Sequence, residues 1–132
     1  YDELMVYCKQ LKNKWYKIII WWDFNICHQK IDIARPEANK NSIWFKPEER
    51  EKIGKLFTQW YSDAFRYFNP TKRDKYTRWS YRWWSRQRNV WRRLDYFAVD
   101  NDLFKKSSVF NVDHLDSVYW SDHCPILLEI DK

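Results

Sequence analysis

Ten tryptophans stand against a single glycine, Gly54, in a chain of 132 residues. Ordinary composition puts Gly at about 7% and makes Trp one of the rarest residues, so the turns of this chain lack their normal occupant. A domain with several strands needs backbone positions at φ > 0, where Gly sits without steric cost. Either the fold avoids such turns or other residues stand in for its glycines. Hydrophobic residues at 45% and charged residues at 32% exclude the composition of a disordered chain and leave enough apolar surface for a core. The length fits a single unit spanning residues 1–132.

Charge and cysteine usage narrow the class further. The formal charge is +6, and the longest apolar run, Ile18 to Trp22, is five residues, far short of the roughly 20 that cross a bilayer. A membrane partner is not expected. The opening Tyr1-Asp2-Glu3-Leu4 has no initiating Met, basic n-region or apolar h-region, which gives the expectation of a chain cut at its front, with no signal peptide. Cys8, Cys27 and Cys124 form an odd, widely spaced set without a CxxC pair. A disulfide framework and a structural zinc are poor readings of it, and a reducing cytoplasm is the expected setting.

Periodicity outlines the elements. Leu4, Met5, Cys8 and Leu11 give a helix over Asp2 to Asn13. The β-branched and aromatic run Tyr16 to Trp22 reads as a central strand covered on both faces, followed by a loop from Asp23 to Asn41 in which Ile31 and Ile33 are buried. Pro47-Glu48-Glu49-Arg50 opens a second helix with Ile53, Leu56 and Phe57 on its buried stripe. Then follow a short amphipathic turn over Asp63 to Phe68, strands at Tyr76 to Tyr81 and Arg93 to Val99, and a helical turn at Asp102 to Lys106. Strands at Ser107 to Val112 and Pro125 to Ile130 end the chain. Four or five strands with two or three helices fit one layered α/β unit.

Three constellations carry chemistry. Residues 71–93 hold nine basic side chains against one acid, Asp74, interleaved with Tyr76, Trp79, Tyr81, Trp83, Trp84 and Trp91. Guanidinium groups beside flat rings suit phosphates and bases, and the competing reading is a solvated basic loop. Asp23 and Asn25 lie two apart at the carboxyl end of the apolar strand, where open α/β sheets bind ligands, although an Asx turn would use the same residues. Asp122 and His123 pair an acid with an imidazole just before the last strand, against the alternative of a surface turn. Asp95 sits among apolar residues and needs a cationic partner, a His⁺ or an Arg.

Taken in order, "WDFN", "IDIARPEANKNSIWFKPEER", "SDAFRYFNP", "YTRWSYR", "RNVWRRLDYF" and "SDHCPILLEI" resemble the C-terminal half of the exodeoxyribonuclease III family of abasic-site endonucleases, within the endonuclease/exonuclease/phosphatase superfamily. The resemblance runs from Tyr16 to Ile130. It implies half of a four-layer α/β sandwich, DNase I-like, and a DNA repair nuclease hydrolysing phosphodiesters at abasic sites and 3′ ends of duplex DNA. It also implies Mg²⁺, or alternatively Mn²⁺, as cofactor and a bacterial, nucleoid-associated setting. By the same resemblance, Asp23 acts in proton transfer, Asn25 holds the phosphate and its water, Asp95 orients His123, and His123 stabilises charge on the phosphate. Asp122 places metal or water, while Trp79, Arg82, Arg86, Arg88, Asn89, Arg92 and Leu94 contact DNA.

The sequence also departs from the resemblance. The family's N-terminal half is absent, with the Asn and Glu that place the cation and a Tyr near the phosphate, so duplex DNA and that missing half are the expected partners. The isolated chain is expected to be impaired. A non-catalytic nucleic-acid-binding module or a degenerate paralogue is the rival. Arg78 and Arg92 stand where relatives carry aromatic residues that help form the pocket for the extruded sugar. Trp15, Trp22, Trp44, Trp60, Trp91 and Trp120 stand where relatives carry Gly, and Trp21, Trp83 and Trp84 at small-residue or variable places. One mechanism for that pattern is UGA codons meaning Gly in the organism's own code but translated as Trp, which the intact mass of protein from that organism decides.

Overall fold

A three-stranded antiparallel sheet organises the molecule, with strand β3 (Asp95–Asp100) between β1 (Ile19–Asp23) and β2 (Tyr61–Asp63). The computed structural model describes residues 2–82 and 84–131. Ala98 and Val99, neighbours in β3, point to opposite faces, and both are fully buried. On the Ala98 side lie Cys8 of helix α1 (Asp2–Asn13) and Leu56 of helix α2 (Pro47–Gln59), with Ile20, Phe24 and Tyr61. On the Val99 side lie Ala64 and Phe65 of helix α3 (Ala64–Phe68), Phe104 of helix α4 (Asn101–Lys105) and Val109 and Val112 of strand β4 (Val109–His114). Strand β5 (Ile126–Ile130) pairs antiparallel with β4 as a separate two-stranded sheet. The result is a mixed α/β molecule with α1 and α2 on one face of the first sheet and α3, α4 and the second sheet on the other.

The strand covered on both faces is therefore β3, and the expectation for the run ending at Trp22 is corrected. β1 is an edge strand, and Trp21 and Trp22 are 68% and 66% exposed. An unbroken apolar run marks a buried strand only if something lies over both faces, and the strand's neighbours supply that, not its own residues. The segment Tyr76 to Tyr81 joins no strand. Arg78 makes isolated antiparallel bridges to Arg92 and His123 instead. β2, three residues long, gives no periodic signal and went unforeseen. Trp83 lies outside the described residues.

Two smaller clusters sit beyond the sheet. Cys27, Ile33, Phe45 and Leu94 form one with Trp44, and Tyr76, Trp79 and Cys124 form the other with Ala34 and Trp91. All three cysteines are free and buried, Cys8 in the helix layer and one in each of these clusters. A network of charges ties the 3₁₀ turn Lys30–Asp32 to β2, to α3 and to the segment just before β3. Asp32 accepts from Arg66 Nε at 3.0 Å, Arg66 Nη2 at 2.6 Å and Arg93 Nε at 2.9 Å, while Arg93 Nη1 donates to Asp63 at 3.0 Å. Asp32, Asp63, Arg66 and Arg93 are all buried.

The scarcity of glycine resolves in an unexpected way. Seven described non-Gly residues adopt positive φ, namely Trp15, Asn25, Arg35, Asp74, Trp84, Asn89 and Ser107. Asn and Asp tolerate that conformation; bulky residues do so at a cost. Gly54 is not among them: it lies within α2, where an added Cβ would meet His28 Nε2 at 3.3 Å. Among the six tryptophans placed at Gly-like positions, only Trp15 takes a left-handed backbone. Trp22, Trp44, Trp60, Trp91 and Trp120 do not, so for them the backbone argument for a hidden glycine falls away.

Candidate active site

Antiparallel register does the first part of the assembly. Asp23, the last residue of β1, pairs directly with Asp95, the first of β3, so two carboxylates meet at one end of the sheet. Asn25, at φ 53°, turns the chain so that its backbone N donates to Asp23 Oδ1 at 2.9 Å and its Nδ2 to Oδ2 at 3.1 Å. The Asx turn and the functional placement are thus one structure.

His123 arrives from the far end of the sequence. Trp79 N donates to the Asp122 carbonyl at 2.7 Å and Cys124 N to the Thr77 carbonyl at 2.7 Å, laying residues 122–124 alongside 77–79. The Thr77 hydroxyl in turn accepts from Leu94 N at 3.0 Å and Asp95 N at 3.2 Å. His123 Nδ1 then stands 2.9 Å from Asp95 Oδ2, which gives Asp95 an imidazole partner, cationic when protonated. Thr77, fully buried, joins residues 122–124 to the start of β3. No sequence signal singled it out.

The electrostatics follow from these contacts. The bond to Asp95 raises His123 above the ordinary imidazole value, against the opposing effect of burial. Burial raises Asp23 above the usual carboxylate range; the Asn25 amide opposes this and the Asp95 charge adds to it. Asp23, Asp95 and His123 offer ligand atoms that all lie within 4.8 Å of one another. Two adjacent carboxylates are hard oxygen donors, and a divalent cation between them would relieve the repulsion that Asp23 feels. The residues therefore fit a hydrated dication held through Asp23 and Asp95, with His123 fixed by Asp95. Asp122 lies outside this group and pairs with Arg78 at 3.2 Å.

The residues expected to contact DNA divide in two. Arg82, Arg88 and Asn89 are exposed. Trp79 and Leu94 are not: they are 3% and 0% exposed, packed in the two satellite clusters, so neither ring face nor methyl group is open to a nucleic acid. Arg86 is a brace: it donates to the carbonyls of Ser121 and Asp116, both at 3.0 Å, and to that of Val118, between the rings of Trp79 and Tyr119. Arg92 is buried as well. Of the nine basic residues in 71–93, Lys72, Arg73, Arg82 and Arg88 are the exposed ones. The rest are folded into ion pairs, braces and stacks. Arg73 and Arg88 border a groove of about 990 Å³ together with Lys30 and Arg35.

The sheet end carries two carboxylates and an Asp-held imidazole, none of which lines the basic groove. The chain belongs to the Endonuclease/Exonuclease/phosphatase family, whose model matches residues 2–123. It is 42% identical over 116 residues to a DNA-(apurinic or apyrimidinic site) endonuclease of Dictyostelium discoideum, covering 87% of this chain and 32% of that protein. To an exodeoxyribonuclease of Bacillus subtilis it is 35% identical over 130 residues, 98% of this chain and 50% of the other. The fold matches that of a 3′-5′ exonuclease from Neisseria meningitidis with a TM-score of 0.86 at 24% identity, over 98% of this chain and 51% of that one. The chain thus spans a third to a half of the length of these relatives. Among the described residues, no helix is long and apolar enough to cross a membrane.

Proposed function

We propose that this chain is the C-terminal part of a DNA repair nuclease that hydrolyses phosphodiesters at damaged sites or 3′ ends of duplex DNA, and that an N-terminal half completes its active site. The observation that carries this reading is the Asp95–His123 contact of 2.9 Å beside Asp23. In the reaction, His123, protonated through its bond to Asp95, donates toward the phosphate oxygens as charge builds on them. Asp95 holds the ring at Nδ1 and leaves Nε2 as the nitrogen for that donation. Asp23, whose carboxyl is raised by burial, handles the proton of the attacking water or the leaving oxygen, and Asn25 fixes the orientation of Asp23. A divalent ion, Mg²⁺ or Mn²⁺, would be held by Asp23 and Asp95 and would offset the phosphate charge. Working on chromosomal DNA would place a bacterial form at the nucleoid.

The rival is a nucleic-acid-binding module without catalysis, and it shares the exposed cations of the groove. The two separate in one assay. Purified alone, the chain is expected to bind duplex DNA and to nick abasic DNA poorly or not at all in Mg²⁺; supplied with an N-terminal half, it should cleave. His123→Ala and Asp23→Asn should then each lower kcat by orders of magnitude with little change in KM. Robust nicking by the 132-residue chain alone refutes the need for a second half, and a completed protein that binds without cutting supports the rival.

A further inference from the structure

Of the three acids expected at the phosphate, Asp122 alone stands apart from the group that Asp23, Asp95 and His123 form. Chain distance is not the reason, since His123 is its neighbour in sequence and belongs to the group. Both carboxylate oxygens of Asp122 are already engaged. Oδ2 accepts from Arg78 Nε at 3.2 Å and lies 3.2 Å from Arg78 Nη2, while Oδ1 accepts from the Ser121 hydroxyl at 3.3 Å.

Backbone pairing brings Arg78 to that place. Arg78 N donates to the Arg92 carbonyl at 3.1 Å and Trp79 N to the Asp122 carbonyl at 2.7 Å, so residues 77–79 run between 92 and 122–124. An isolated bridge joins Arg78 to His123 itself. The guanidinium carbon is flanked by the rings of Trp44 and Trp91, 5.7 and 5.9 Å from their centroids. The side chains of Arg78 and Asp122 are 24% and 25% exposed, so the pair is partly withdrawn from water and attracts more strongly than a surface pair. The charge of Arg78 also reaches Asp23. Burial raises that carboxyl, and Arg78 is among the groups that oppose the rise.

A guanidinium in this position offsets the repulsion among neighbouring carboxylates, which is part of what a bound dication does. It also repels an incoming cation and occupies the oxygen that the cation would take. The two uses of Asp122 exclude each other. We propose that Arg78 is the resident countercation of this site, that it withholds Asp122 from a divalent ion, and that such an ion is held through Asp23 and Asp95 without Asp122. Arg78 is in this sense a positioning residue, acting on the ion through the carboxylate it keeps. Nothing in the sequence marks it for that role, because basic residues crowd the whole segment. The inference rests on the dication reading of Asp23 and Asp95.

The test measures metal binding by the 132-residue chain without DNA. Free Mn²⁺ is followed by electron paramagnetic resonance. The water left on bound Eu³⁺, a hard oxygen-seeking probe, is counted from its luminescence lifetimes in H₂O and D₂O. Arg78→Met is expected to bind Mn²⁺ about tenfold more tightly than wild type, and to leave about one water fewer on Eu³⁺ as the Asp122 carboxylate takes its place. Asp122→Asn, which leaves the Arg78 charge unpaired, should bind no more tightly and keep the wild-type water count. The double variant Arg78→Met/Asp122→Asn should return both readings to wild type, and Arg78→Lys, which keeps the charge, should stay near it. Arg78→Leu is made alongside Arg78→Met and carries the same expectations, so that loss of the fold in one leaves the other to decide. Unchanged affinity and water count in these two variants overturn the proposal. An affinity gain without loss of water, or one that survives in the double variant, traces to charge alone and overturns it too. A water count that rises in Asp122→Asn would make Asp122 a ligand already, with the same consequence. Asp23→Asn should abolish binding in every background. Binding that survives Asp23→Asn, or its absence from wild type and every variant, overturns the dication reading and the proposal with it.

Discussion

His123 owes its raised pKa first to one hydrogen bond, so removing that acceptor should be visible at the ring itself. In Asp95→Asn the imidazole is expected to titrate closer to its ordinary value of about 6.5, measured by NMR of the His123 ring protons. The sign extends to stability. A folded value above the unfolded one adds stability at low pH, and that increment disappears as pH rises through the folded value. Wild type should therefore exceed Asp95→Asn by more below the His123 titration than above it. An unmoved His123 in Asp95→Asn would assign its shift elsewhere. Trp15 makes the second residue-scale case. It holds φ 67° while 89% exposed, so it stores backbone strain with little packing in return. Trp15→Gly is expected to stabilise the chain by about 1 kcal/mol in urea unfolding, with m unchanged. The shortage of glycine announced that such positions exist. Their places in the chain followed from backbone geometry that composition does not carry.

Between elements, the buried charges around Asp32 do what a hydrophobic contact does elsewhere. They join the loop after β1, strand β2, helix α3 and the segment just before β3, and Arg93 has no exposure at all. Burial works to raise the Asp32 carboxyl, but Arg93 and Arg66 outweigh it and hold it below the ordinary range. Its contribution is thus present above an unfolded value near 3.9 and fades as pH falls through the lower folded value. Asp32→Ala should cost about 3–5 kcal/mol in denaturant unfolding at neutral pH, because it leaves a buried guanidinium without its partner. A loss below about 1 kcal/mol would mean that solvent reaches Arg93. The helices were readable because the Leu4, Cys8, Leu11 and Pro47, Ile53, Leu56 patterns are local. Asp32 was not, although an acid between Ile31 and Ile33 poses the same question that Asp95 posed. The answer in both cases lay more than 25 residues away in sequence.

For the molecule as a whole, counting basic residues overstates what the surface offers to a nucleic acid. With Lys72, Arg73, Arg82 and Arg88 exposed and the other five of that segment committed to internal contacts, binding of duplex DNA should show a log–log salt slope of about 3 to 4. Full use of all nine would give about 8. A titration across salt concentrations separates the two. The order of motifs made the Asp23, Asp95 and His123 grouping readable. The inward turn of Arg86, Arg92 and Trp79 was not, because basic and aromatic residues alternate in the same way whether they face a ligand or their own loop.

The three buried thiols have a use that follows from where they lie. Cys8, Cys27 and Cys124 sit in three different apolar clusters, and burial pushes the latter two up to about 12. A thiol in that state is inert to alkylation until its surroundings open. Each cluster therefore carries its own clock, and the order in which the three sulfurs become labelled records the order in which the helix layer, the loop beside β1 and the basic segment come apart.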